Sequence, residues 1–301
     1  MINVLPSAYH PGTYTFLTRK LPLRPAALAQ PLDIQVAGDH NKIRLEADVT
    51  HLLDVKEESD GAEKDGGEPC KKTVLLADCR AIRTIRTISV APKMKKILVT
   101  GFVPFLHYPI NPTEQLAQRI DGERIGEYEV ISAVLPVEFA SSAAALLRKY
   151  EEVSPDAVIS LGLAAGRDRI TPERIAINCS DGDADNSGVV CRDQTIAEDG
   201  PAAYFTTLPY RAMINRLLEH GIPAQISNSA GTYLCNNVMY QMLHRLHQEN
   251  RQDQVRSGFI HIPASHELAL LMKRSVPSFA LETLHKALRL MILELSAQSR
   301  E

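Results

Sequence analysis

Apolar residues recur at Leu234, Val238, Met242 and Leu246, the spacing of one helical face, directly after the small and polar run Ser227 to Thr232. The pattern predicts a helix that begins near Cys235. Before it, Ala224 to Ser227 reads as a short strand. Further strands are predicted at Met94 to Phe102, Val130 to Val137, Ala157 to Leu161, Arg174 to Asn178 and Gly258 to Ile262. The run at Ala157 suits a strand covered on both faces. Helices fall between the strands. Asn111-Pro112-Thr113-Glu114 supplies an N-cap, a proline at the first helical position and an acid three residues on, so a helix runs to about Ile120. Others are predicted at Phe139 to Tyr150, at Pro209 to His220 closed by Gly221, and at Ser278 to Leu295. Strands alternating with helices imply an α/β fold on a largely parallel sheet with both faces covered. In such sheets the site lies beyond the carboxyl ends of the strands.

Residues 1–93 break this rhythm. They start Pro-rich, continue in short alternating pieces such as Lys42 to Ala47, and pass into the charged, Gly-rich run Lys56 to Lys71, which reads as a loop or linker. The expectation is an N-terminal appendage over 1–93, partly disordered or weakly structured, and the main α/β domain over 94–301. Met94 also resembles an ordinary start. Either it is the authentic N-terminus, with upstream sequence read through in frame, or the appendage is genuine.

Composition acts mainly by exclusion. A chain of 301 residues, 45% hydrophobic and 23% charged, has material for one substantial core plus an appendage. A net charge of -3 gives no electrostatic reason to expect nucleic acid as a partner. No apolar run reaches the length of a membrane span and no secretory signal pattern opens the chain, so a cytoplasmic protein without membrane contact is expected. The five cysteines, Cys70, Cys79, Cys179, Cys191 and Cys235, lack Cys-x-x-Cys spacing. Reduced thiols are expected, rather than a disulfide framework or a zinc ribbon.

Cys235 is the candidate with a mechanism. First-turn N–H groups and the helix dipole favour negative charge, the setting that a nucleophilic thiolate needs. The plainer alternative is a small buried hydrophobe. A cysteine nucleophile also needs a base, and the base needs a group that orients it. His261 ends the Gly258 strand and Glu173 follows the Ala157 strand, where the sheet rule places site residues. Their alternatives are a core histidine bonded to backbone and a surface acid after Pro172.

Several longer motifs occur in one order. They are Gly101-Phe102-Val103-Pro104-Phe105 with Asn111-Pro112, then Gly166-Arg167, Ile170-Thr171-Pro172-Glu173-Arg174-Ile175-Ala176-Ile177-Asn178, Ala230-Gly231-Thr232-Tyr233-Leu234-Cys235-Asn236 and Gly258-Phe259-Ile260-His261-Ile262-Pro263. In these the stretch from Met94 to about Leu295 resembles pyroglutamyl peptidase I, the pyrrolidone-carboxylate peptidase family of cysteine peptidases. The resemblance implies Cys235 as nucleophile, His261 as general base and acid, and Glu173 as the residue that orients and supports the histidine. It also implies removal of N-terminal pyroglutamate from peptides by a cytoplasmic three-layer α/β/α enzyme, commonly tetrameric, with no metal or organic cofactor. Phe102, Phe105, Tyr233 and Leu234 then become walls for a flat lactam ring, with plain core packing as the alternative.

Departures from the family pattern cluster near the expected substrate. Val103 and Leu106-His107 stand where an acid and a pair of glycines are usual, and Leu163 and Ala165 where the family has Gln and Gly. The family's Asp-Ala-Arg-Ile-Pro-Asp-Asn is replaced by the shorter Asp181 to Asn186, without arginine. That acidic run mimics the start of a calcium loop through Asp183, Asp185, Ser187 and Gly188, but its twelfth position is Gln194, so no calcium is expected. His244 and His247, three apart, are expected on a solvated helix face. Two functional readings stand: a cysteine omega-peptidase, and a non-catalytic or weakly active protein that binds a lactam or peptide terminus on the same fold.

Overall fold

The computed structural model describes residues 94–298 and six short strands within residues 1–93. The chain divides into two units, Met1–Lys93 and Met94–Glu301. In the first, β1 (Asn3–Pro6) pairs antiparallel with β2 (Tyr14–Leu17), β3 (Leu32–Gln35) with β4 (Lys42–Leu45), and β5 (Asp54–Glu57) with β6 (Val74–Ala77). The alternation read at Lys42 is β4. Most of the run expected as a linker lies outside the described residues, as do Cys70 and Cys79.

The second unit runs β7 (Lys95–Phe102), α1 (Pro112–Ile120), β8 (Arg124–Ile125), β9 (Tyr128–Leu135), α2 (Ser142–Val153) and β10 (Ala157–Leu163). It continues β11 (Thr171–Pro172), β12 (Ile175–Ile177), β13 (Ala203–Phe205), α3 (Tyr210–Glu219) and α4 (Leu234–Gln248). β14 (Arg256–Ile262), β15 (Ala264–Ser265), α5 (His266–Leu271), β16 (Ser278–Phe279) and α6 (Leu281–Gln298) complete it. The central sheet has the order β11-β14-β10-β7-β9-β8. Its four inner strands are parallel, and the short β11 and β8 close its two edges antiparallel.

Side-chain alternation in these strands feeds two cores. Ile97 and Val99 of β7, with Ile159 and Leu161 of β10, pack with residues of α1, α3 and α6 such as Leu116, Leu217 and Leu288. Leu98, Val158 and Phe259 face the other way, toward Leu146 of α2 and Val238 and Met242 of α4. The result is the expected three-layer arrangement around a mostly parallel sheet. Every residue of β10, the middle strand, is buried. Along α4 the stripe Leu234, Val238, Met242 and Leu246 is at most 1% exposed, and burial of each such side chain contributes about 1.5–3 kcal/mol.

The helix read at Phe139 to Tyr150 lies three residues later, as α2, and three other predicted elements change. Arg174 to Asn178 gives β12, which pairs with β13 outside the central sheet, because Glu173 is drawn to β14 and the chain then turns away. Ala224 to Ser227 forms no full strand: only Ala224 and Ser227 make bridges, to Ile170 and Glu173. The last helix starts at Leu281 rather than Ser278, since Ser278 and Phe279 pair with β15. The α1 start is as read, with the Asn111 side chain accepting from Thr113 N at 3.1 Å.

Candidate active site

β14 carries His261 to the carboxyl end of the sheet, and β11 brings Glu173 beside it. Thr171 lies opposite His261 and Pro172 opposite Ile260, and the Glu173 N–H extends the ladder to Phe259 O at 2.9 Å. With strand side chains alternating, Glu173 and His261 become diagonal neighbours on one face. Glu173 Oε1 lies 2.7 Å from His261 Nδ1. A carboxylate can only accept, so Nδ1 donates and Nε2 is left to face other chemistry. Both groups are deeply placed, with side chains 0% and 7% exposed.

On the other side of His261, β10 supplies Gly162 at the register position opposite the histidine. A Cβ at this glycine would lie 2.9 Å from His261 Cδ2 and 2.5 Å from Phe259 Cε1. Gly162→Ala is therefore expected to displace the imidazole, lowering turnover while destabilising the fold by about 1–3 kcal/mol. Measuring kcat and the unfolding midpoint checks this; an unchanged kcat would show that the ring has slack.

α4 presents Cys235 in its first turn, after N-cap Tyr233. The turn before it needs Gly231, whose φ is +80°. Two buried asparagines fix this helix end. Asn236 donates to Ile177 O and Cys179 O and accepts from Ile177 N, each at 2.9 Å, and Asn237 donates to Ser180 Oγ at 2.9 Å. Tyr233 gives no side-chain cap, so no side chain occupies the first-turn N–H groups as a cap would.

The electrostatics tie the three residues together. Burial pushes the His261 imidazolium down, but interaction with Cys235 and then Glu173 outweighs it and holds the pKa up at about 9. Burial likewise raises Glu173, yet its bond and charge interaction with His261 prevail, helped by the nearby Ser227 hydroxyl and Arg167, and the carboxyl ends below its usual range. Geometry thus joins His261 to Glu173 from distant segments, and charge interaction links Cys235 to His261.

Phe102, Phe105, Tyr233 and Leu234 all line one pocket together with Cys235. Phe102 ends β7, so this wall too stands at the carboxyl ends of the strands. The rest of the lining is Asn111, Val137 and Leu163, of which the sequence placed only Leu163 near the substrate. Asn111 is legible as a helix cap, and it also donates to Val103 O at 3.1 Å, holding the Phe102–Phe105 segment against α1. Tyr233 is stacked edge-on against Phe139 and donates to Ala184 O at 3.3 Å. Burial, then Asp185 and Cys235, push its pKa up to about 12, so the hydroxyl keeps its proton.

The substituted segment Asp181 to Asn186 backs this pocket. Asn186 bonds Val137 O and Pro104 O, both at 2.9 Å, and Thr232 Oγ1 donates to Asp181 O at 2.9 Å. Asp185 is a loop organiser: it accepts from the N–H groups of Phe139, Ser187 and Val189 and from the Ser187 hydroxyl, at 2.7–2.9 Å. Its lone pairs are spent on those donors. His244 departs from the solvated face expected for it: it is 12% exposed, with Nδ1 at 2.9 Å from Tyr204 Oη and Nε2 at 3.3 Å from Asp199. Among the described residues no His, Cys, Asp and Glu group has the makings of a metal site.

Comparison with known proteins bears on the second unit. A family model described as pyroglutamyl peptidase matches residues 95–298. The pyrrolidone-carboxylate peptidase of Halalkalibacterium halodurans is 54% identical over 199 residues, covering 66% of this chain and 98% of the relative. That of Oceanobacillus iheyensis is 52% identical with the same coverage. Among solved structures, pyrrolidone carboxyl peptidase from Thermococcus litoralis superposes with a TM-score of 0.65 at 42% identity, over 69% of this chain and 96% of that one. With a family match over most of its length and relatives covered almost end to end, this chain belongs to the pyroglutamyl peptidase family.

Proposed function

We propose that the protein is a cysteine omega-peptidase that removes N-terminal pyroglutamate from peptides through Cys235, His261 and Glu173. The observation that carries this reading is the 2.7 Å bond from His261 Nδ1 to a buried Glu173, next to a pocket whose wall includes the first-turn cysteine of α4. In the proposed reaction the Cys235 thiolate attacks the pyroglutamyl carbonyl carbon. First-turn N–H groups of α4 hold the resulting oxyanion. His261 gives its proton to the departing amine as the C–N bond breaks, leaving a thioester on Cys235. Neutral His261 then takes a proton from water, the hydroxide attacks the thioester, and pyroglutamate leaves with the thiolate and imidazolium restored. Glu173 stays ionised throughout, fixing the imidazole tautomer.

Substrate selection is read from the walls. A lactam is flat and neutral, so Phe102, Phe105, Tyr233 and Leu234 suit it by shape and apolar contact. Leu163, bulkier than the family's residue, reaches into the same wall, and the acidic loop stands behind it. Purified protein is expected to release a chromogenic amine from its pyroglutamyl amide with a raised KM, because contacts shared by ground and transition states are the ones altered. Exposed Asp183 is expected to favour Lys over Glu after pyroglutamate, an effect that salt weakens. No amine release at any substrate concentration would favour the binding-protein reading. Efficient hydrolysis without charge preference would separate the loop from the substrate.

The catalytic unit in this reading is residues 94–301, supported by a family match that begins at residue 95. A protein starting at Met94 is expected to unfold cooperatively and keep full activity; insolubility or lost turnover would assign residues 1–93 a part in the core. Among the described residues no helix is long and apolar enough to cross a membrane. Cytoplasmic placement and a homotetramer belong to the same reading, and sedimentation of the purified protein tests the assembly.

A further inference from the structure

Resting on the catalytic reading of Cys235, His261 and Glu173, we propose that Arg167 is a positioning residue that balances the charge of that unit and keeps Glu173 ionised while His261 gives up and regains its proton. Glu173 Oε1 accepts from Arg167 Nη1 at 2.7 Å as well as lying 2.7 Å from His261 Nδ1. The same Arg167 nitrogen also bonds Thr171 Oγ1, on the strand that places Glu173. Glu173 Oε2 is buried and has no hydrogen-bond partner among the described residues. Both charged partners of the carboxylate thus meet it on the same oxygen, with the Ser227 hydroxyl as a neutral neighbour.

The charges explain why two are needed. Thiolate, imidazolium and carboxylate together carry a net negative charge in a site where Glu173 is fully buried, and an isolated buried charge is costly. Arg167 brings the sum to zero. During turnover the imidazolium becomes neutral, and Glu173 would then be stranded without a counter-charge. A guanidinium keeps its charge over the whole working range, so Arg167 holds the carboxylate in both states. By drawing charge from Oε1 it also weakens the hold of Glu173 on the His261 proton, making the imidazolium a better acid toward the leaving amine.

The surroundings leave this role to Arg167. His261 faces Glu173 from β14, and Cys235 acts on His261 from α4. Ser227, across a bridge from Glu173, donates its hydroxyl to Ser229 O at 3.1 Å. Arg169, on the same loop as Arg167, is engaged by Asp168 at 2.7 and 2.9 Å and by Gln225 at 3.3 Å.

The test is the pH profile of Cys235 alkylation by iodoacetamide in the full-length protein, alongside kcat on a pyroglutamyl amide. Alkylation needs no peptide substrate, so it reads the thiolate–imidazolium pair even if the substrate assignment fails. Arg167→Gln is expected to move the acid-side inflection up by about one pH unit, the size of one unit charge acting over several ångströms at an effective dielectric near 20. It is also expected to lower kcat about tenfold or more, a part of the roughly 10²–10⁴-fold that a positioned general acid contributes. Arg167→Lys is expected to return the inflection to its wild-type place but only part of kcat, since an ammonium lacks the planar fork. An unmoved inflection in the Gln variant, or equal movement in the Lys variant, overturns the proposal even if both lose stability. Should Arg167→Gln fail to fold, Arg167→Lys decides alone: a retained inflection supports the role and an upward shift refutes it. A wild-type profile with no ion-pair region overturns the catalytic reading and this proposal together.

Discussion

Cys235→Ala and His261→Ala are each expected to reduce kcat on a pyroglutamyl amide by roughly a million-fold, the scale reached when one member of a nucleophile–base unit is removed. In the proposed reaction the thiol forms the bond that replaces the scissile amide, and no other described cysteine lines the pocket: Cys179 and Cys191 lie in the loop segments around Asp181. In that proposed reaction His261 is the proton carrier for both halves. Because each residue is useless to the chemistry without the other, the double variant should lose little beyond either single one. The comparison uses purified proteins checked for a retained unfolding midpoint, since Cys235 is only partly buried and its truncation should cost little stability. A double variant far below both singles would show that the two act independently, against the proposed unit.

Glu173→Gln is expected to lower kcat by about 10²–10⁴-fold, approaching at its upper end what neutralising the acid of a serine-protease triad costs. The amide oxygen can still accept from His261 and Arg167, so the ring keeps its tautomer. What is lost is the negative charge under the imidazolium, and an amide –NH₂ is placed where Glu173 Oε2 has no partner. Removing an anion beside His261 lowers its pKa, so the alkaline fall of kcat/KM, expected near pH 9 in the native protein, moves to lower pH. Stability follows the same groups with opposite signs. The raised His261 contributes stability that is present below its ordinary value of 6.5 and lost as pH rises through about 9. The depressed Glu173 contributes stability present above its ordinary value of 4.5 and lost as pH falls through its lower folded value. Unfolding midpoints measured across both windows check this. A Gln variant whose acid and alkaline stability slopes match those of the native protein would remove Glu173 from the account.

The parallel sheet was legible because its strands are covered on both faces and so read as apolar runs: Ala157 to Leu161 and Gly258 to Ile262 became the buried β10 and β14. The α4 stripe was legible for the matching reason, a periodicity that only a helix can bury on one side. Segments with weaker local signals were misread. Ser278 to Phe279 fits the helical pattern that follows it, but a partner strand at Ala264 claims those backbone groups first. His244 looked solvated because its partners, Tyr204 and Asp199, come from elsewhere in the chain.

For the site, the sequence by itself determined the chemical types. A cysteine at a helix start, a histidine ending one strand and an acid following another were identifiable from local pattern and motif, together with the four walls Phe102, Phe105, Tyr233 and Leu234. Only the tertiary structure decided how these groups meet. The antiparallel pairing of β11 with β14 sets Glu173 diagonal to His261, the absence of a side chain at Gly162 leaves room for the imidazole, and Arg167 reaches the same carboxylate oxygen from a separate loop. Charge balance in a buried site depends on which ions lie within a few ångströms of one another, whereas spacing along the chain fixes only which face of its own element each one occupies.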